Sequence, residues 1–145
     1  MGINRIQLPK YIDRPQMLTQ LKNSAQIHVS EYNRWVEQPS VLATRVLTEN
    51  LSVRLPAAQI KMNQLRGEHF DRTVSIEITK LDAVLGDKAE MVVWYTIKDK
   101  AGQVLVHQKF AATVLLGKTY DDLAKGYSEL LANLSQAIAN ALIKK

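Results

Sequence analysis

The side chains best suited to metal ligation or proton transfer near neutral pH are His28, His69 and His107. They are scattered along the chain, and none stands in an H-x-x-x-H or H-E-x-x-H frame. Such a frame would bring two imidazoles onto one helix face. Glu68-His69 is an isolated pair in a predicted loop. Cysteine is absent, which removes zinc–thiolate centres, iron–sulfur clusters, disulfides and a thiol nucleophile. Seven serines occur without a G-x-S-x-G elbow. The six glycines form neither a G-x-x-x-x-G-K-[ST] nor a G-x-G-x-x-G phosphate cradle. Asp121 and Asp122 are adjacent carboxylates, but a helix start after Thr119 already accounts for them. The sequence thus offers no catalytic, cofactor or metal site to propose, although folding could still assemble an acid/base pair from distant residues, and an enzyme with such a hidden site stays open as a reading.

Chemistry suited to recognition is concentrated in two proline-framed stretches. Leu8-Pro9-Lys10-Tyr11-Ile12-Asp13-Arg14-Pro15-Gln16 sets one aromatic beside an Asp-Arg pair. Glu31-Tyr32-Asn33-Arg34-Trp35-Val36-Glu37-Gln38-Pro39 repeats the composition. Trp, Tyr and Arg supply most interface hot spots, so Tyr11, Asp13, Arg14, Arg34 and Trp35 are the candidate partner-binding residues. The other reading, that Tyr11, Arg34 and Trp35 anchor loops on the core, stands beside it.

Charge adds a weaker signal. The chain has 145 residues, 19 Lys+Arg against 14 Asp+Glu, and formal net charge +5. The whole excess lies in residues 1–66, yet its basic side chains are dispersed rather than clustered. A basic polyanion-binding module is the alternative function on this evidence alone. Nucleic acid is not expected: Trp94 and Tyr95 are adjacent on one predicted strand, point to opposite faces and read as core. No run approaches the ~20 apolar residues of a spanning helix.

These residues need a scaffold, and its elements follow from periodicity. Residues 3–9 and 59–62 read as short strands. Residues 16–21 and 26–30 read as two strands about a turn at Lys22-Asn23-Ser24, and residues 31–39 as an irregular polar stretch. Ser40 is the expected N-cap of a helix ending at Pro56, with Leu42, Ala43, Val46, Leu47, Leu51 and Leu55 on its apolar face and Thr48 and Ser52 opposite. Thr73–Leu81 alternates strictly. Ala89–Ile97 is apolar on both faces, which predicts a central strand covered on both sides. Val104–Leu116 completes an antiparallel meander. Thr119 with Asp122 forms a capping box for a terminal helix of ~25 residues, in which Gly126 reads as a soft spot. The predicted fold is a single domain over residues 1–145 of mixed α/β (α+β) class. It is a largely antiparallel sheet of about seven strands with two main amphipathic helices packed on it.

The stretches "LPKYIDRPQ" and "EYNRWVEQP", followed by a helix with "RVLTENLSVRL", resemble the ABC-type transport auxiliary lipoproteins, the PqiC/YmbA-like family. The matching positions are Leu8, Pro9, Tyr11, Ile12, Asp13, Arg14, Pro15, Glu31, Tyr32, Arg34, Trp35, Glu37, Arg45, Val46, Leu47, Glu49, Asn50 and Leu51. Gln38 departs from the pattern, which usually has Glu-Pro directly. The resemblance implies a periplasmic domain anchored to the outer membrane through a lipidated cysteine. With no cysteine present, the native signal peptide and lipobox are expected to have been removed. It further implies a non-enzymatic role beside an MCE-domain protein in moving lipid between membranes, with a homo-oligomer as a possible assembly.

Overall fold

The computed structural model describes residues 1–21, 26–64 and 69–144. The turn expected at Lys22-Asn23-Ser24, and Glu68 of the Glu68-His69 pair, lie outside the described residues. The strands are β1 (Gly2–Ile3), β2 (Gln16–Gln20), β3 (Ile27–Arg34), β4 (Lys61–Met62), β5 (Arg72–Ala83), β6 (Lys88–Asp99) and β7 (Val104–Leu115). The helices are α1 (Pro39–Arg54) and α2 (Tyr120–Ile143). The fold is mixed α+β, with seven strands among the described residues divided between two sheets. Five form the main sheet in the order β4-β1-β5-β6-β7, and β2 pairs with β3 in a separate ribbon. The long meander β5-β6-β7 is antiparallel, whereas β1 runs parallel to both β4 and β5.

Alternation in β5 and β6 puts Val74, Ile76, Ile78, Met91, Val93 and Ile97 on one face. Each is at most 2% exposed. The helices cover that face, with α2 against β6 and β7 and α1 against α2. Leu47, Leu51, Leu123, Leu130, Leu134 and Ile138 complete the core. Full burial of such a side chain contributes roughly 1.5–3 kcal/mol each.

Five expectations are corrected. Residues 31–34 are not irregular but continue β3. The sheet is covered on one face only: Tyr95 is buried, but Trp94 is 39% exposed on the open face, where it stacks on His107 at 5.0 Å. An apolar residue in a central strand can be shielded by its cross-strand neighbours without a second layer. Ser40 does not cap α1. The N-cap is Gln38, Pro39 follows it, and Ser40 lies within the first turn. Thr48 is buried rather than solvent-facing. Its hydroxyl donates to Thr44 O at 2.7 Å, so the polar group enters the core already satisfied. Gly126, finally, is a close-approach site: a Cβ there would meet Leu116 Cδ2 at 2.3 Å. The capping box of α2 is present as expected, with Asp122 N–H donating to Thr119 Oγ1 at 3.1 Å.

Candidate docking site

The two proline-framed segments, some twenty residues apart in sequence, are joined side by side. Trp35 N–H donates to Pro15 O at 2.7 Å, and Gln16 lies opposite Arg34 in the β2–β3 ribbon. Gln38 Nε2 donates to Asp13 Oδ2 at 3.0 Å. The other Asp13 oxygen accepts Ser40 N–H at 2.8 Å. No side chain of the N-cap itself performs this role. Asp13 therefore caps α1 from a distant loop, satisfying an orphan donor and placing negative charge at the positive end of the helix. Arg5 closes the network, with Nε and Nη2 donating to Ser40 Oγ at 3.0 and 2.8 Å. Beyond the helix start, Arg45 Nη2 donates to both carboxylate oxygens of Glu37 at 2.5 and 2.7 Å.

Trp35 is half-buried and stacks on Tyr127 of α2, with ring centroids 5.7 Å apart and planes 20° from parallel. This aromatic pair walls an apolar groove between α1 and α2, also lined by Ile12, Ala43, Val46 and Leu131, that holds about 90 Å³. The hydroxyl of Tyr127 faces away from bulk water. Burial, then the charge of Asp82 and the neighbouring Tyr11, raise its pKa far above the ordinary 10. Tyr11 is raised in the same direction, first by burial and then by Asp82, although its side chain is partly exposed.

Arg14 and Arg34 are exposed and make no side-chain hydrogen bond or ion pair among the described residues; Lys10 is the same. Of the five candidates, Trp35 and Tyr11 line the corner, Arg14 and Arg34 stand beside it, and Asp13 holds its frame. Sequence reasoning missed the apolar surface around them. Most of the exposed large hydrophobics among the described residues fall between residues 11 and 36: Tyr11, Leu21, Ile27, Val29, Tyr32 and Val36. Tyr32 is 92% and Val36 87% exposed. Exposed apolar side chains gathered in one part of the chain make this the candidate interaction surface. The available signal was β-branched alternation in residues 27–30 on a ribbon too short to be covered.

Other chemistry is sparse. Among the described residues, no three His, Asp or Glu side chains are grouped so as to hold a metal ion. His28 and His69 are exposed, and His107 Nδ1 lies 2.9 Å from Thr96 Oγ1. Among the described residues no helix is long and apolar enough to cross a membrane.

The sequence profile of the ABC-type transport auxiliary lipoprotein component matches residues 1–139. The chain belongs to the ABC-type transport auxiliary lipoprotein family. The corner described above lies within the residues that the profile matches. No curated protein matches the chain. Among solved structures, an uncharacterized protein superimposes with a TM-score of 0.85 at 19% identity, covering 97% of this chain and 90% of the other. A Xanthomonas campestris protein of family DUF330 gives 0.74 at 9% identity, covering 94% and 79%. The PelC dodecamer from Paraburkholderia phytofirmans gives 0.58 at 9% identity, covering 97% and 84%. At these identities the likeness concerns the fold. The auxiliary-lipoprotein assignment itself identifies an accessory component of a transport system.

Proposed function

We propose that this auxiliary lipoprotein is a non-enzymatic periplasmic subunit of an MCE-type intermembrane lipid transport system. It docks the MCE-domain protein at the outer membrane, where its native form is held by a lipidated N-terminal cysteine. The observation that carries the docking reading is the corner itself: two motif segments zipped together, a Trp–Tyr wall, unpaired arginines and a concentration of exposed apolar side chains. Tyr11, Arg14, Arg34 and Trp35 meet the partner, and Asp13 keeps them in place. Assembly into a homo-oligomer is part of the proposal, in line with the dodecamer formed by the structurally similar PelC.

The test is retention of the MCE-domain protein from the same transport system on the immobilised chain. Trp35→Ala and Arg14→Ala variants that keep their melting temperature are expected to lose retention. If the wild-type chain retains no MCE-domain protein, the reading fails. The anchor is tested separately on the native gene: a hydrophobic leader ending in a lipobox cysteine supports it, and a cytosolic start refutes it.

A further inference from the structure

We infer that the groove between α1 and α2 takes a single aliphatic side chain from a partner-protein segment whose neighbouring residues are acidic. The inference rests on the docking reading and names the chemistry of what docks. Size comes first. At about 90 Å³ the groove is well below the roughly 300–1,000 Å³ of a small-molecule pocket. That is room for about one leucine-sized group and not for a whole membrane lipid. Lining comes second. Apart from Tyr127 and Ser128, every wall is apolar, from Ile12 and Trp35 on one side to Ala43, Val46 and Leu131 on the other. Hot-spot anchors seat in pockets of this kind, ringed by polar contacts that exclude water.

Charge comes third. Lys10, Arg14 and Arg34 lie one or two residues along the chain from groove-lining Ile12 and Trp35, and all three are exposed without an ionic partner among the described residues. Of the two carboxylates of that stretch, Glu37 is already held by Arg45, and the exposed Glu31 is outnumbered by the three bases. The rim is therefore net positive and unsatisfied, which selects carboxylates beside the anchor and speeds their encounter.

The experiment titrates the isotope-labelled full chain with a capped peptide carrying one leucine between aspartates. Parallel arms use the same peptide with the leucine replaced by alanine, the same peptide with lysines for aspartates, and dodecanoate below its micelle concentration. Saturable shifts at the Ala43, Val46 and Ser128 amides and the Trp35 indole are expected with the acidic leucine peptide only. Loss of the leucine should weaken binding roughly 10- to 100-fold, the worth of burying one such side chain. Filling the groove with Ala43→Phe should abolish the shifts, and Ser128→Phe, at an exposed position, repeats the test should the first variant not fold. Equal binding of the alanine peptide, tighter binding of dodecanoate or of the lysine peptide, or no saturable shift at about 5 mM peptide would overturn the inference. Failure of the MCE pull-down with these shifts intact sinks the transport reading alone. Successful pull-down that Ser128→Phe leaves unchanged sinks the groove alone.

Discussion

Removing the Asp13 carboxylate should loosen both α1 and the corner it frames. Asp13 is 19% exposed at its side chain and accepts Ser40 N–H at 2.8 Å and Gln38 Nε2 at 3.0 Å. An N-terminal cap replaced by alanine costs about 1 kcal/mol, and the lost charge at the helix N-terminus adds roughly 0.5 kcal/mol. Arg5 lies 4.0 Å away and is more than half exposed, so that pair adds little. The total for Asp13→Ala is about 1.5–2 kcal/mol. At about 3 °C per kcal/mol for a chain of this size, the melting temperature falls by about 5 °C. Asp13→Asn keeps an acceptor for Ser40 N–H and loses the charge, while the exposed Gln38 amide can flip so that its oxygen accepts from the new NH2, so its expected fall is about 2 °C. Thermal unfolding followed by circular dichroism measures both. If Asp13→Ala melts with the wild type, or Asp13→Asn melts below Asp13→Ala, the remote cap is not what holds the start of α1.

Three further substitutions probe other parts of the scaffold. Thr44→Val preserves shape but removes the Oγ1 that accepts the buried Ile6 N–H at 2.9 Å; denaturant titration should show a loss of about 2 kcal/mol. Gly126→Ala should lose about 1 kcal/mol by calorimetry, despite alanine's better helix propensity, because the new methyl meets buried Leu116. An unchanged or higher melting temperature would show that Leu116 can move aside. Glu90 is held by Lys80 at 2.7 Å and Lys88 at 2.9 Å, and hydrogen bonds from Lys80 and then Lys88 lower its pKa from 4.5 to about 2. Since the folded state binds the proton more weakly, this stabilisation is present above about pH 4.5 and is lost as pH falls toward about 2. The gap between wild type and Glu90→Gln, about 1 kcal/mol or less for so open a cluster, should therefore close on acidification; a gap independent of pH would refute the assignment.

The meander and α2 were legible because their signals are local. Val74, Ile76 and Ile78 alternate within one strand, and Thr119 with Asp122 writes a cap in four residues. What sequence reasoning missed depends on partners far along the chain. Ser40 looks like an N-cap until Asp13, 27 residues earlier, is seen to supply the acceptor. Thr48 looks solvent-facing until its hydroxyl is found bonded within the helix. Gly126 looks like a weak helix residue until Leu116 is found against it. Trp94 looks like core because hydrophobicity records a preference for cover and does not say which layer supplies it. At the docking corner the residue types were legible, but the apolar surface of the β2–β3 ribbon was not. Ile27 and Val29 have ordinary strand chemistry, and only the separation of the ribbon from the main sheet leaves them open.

The corner's own wiring shows what two proposed recognition segments gain from being proline-framed and tied to a helix rather than left as free loops. Binding costs about 0.5–1.5 kcal/mol for each rotamer-rich side chain that must be immobilised. Here Trp35 is fixed by its backbone bond to Pro15 and its stack on Tyr127 before any partner arrives. The carboxylates take the complementary part: Asp13 and Glu37 are consumed in holding α1 and Arg45. That leaves the arginines of the same stretches uncompensated. With only Glu31 left exposed against Lys10, Arg14 and Arg34, and with Tyr11 and Tyr32 outward, the two stretches suit the acidic, apolar partner proposed above. The same wiring makes the start of α1 and the recognition surface one mechanical unit, so damage to the cap should weaken docking even where no contact residue has changed.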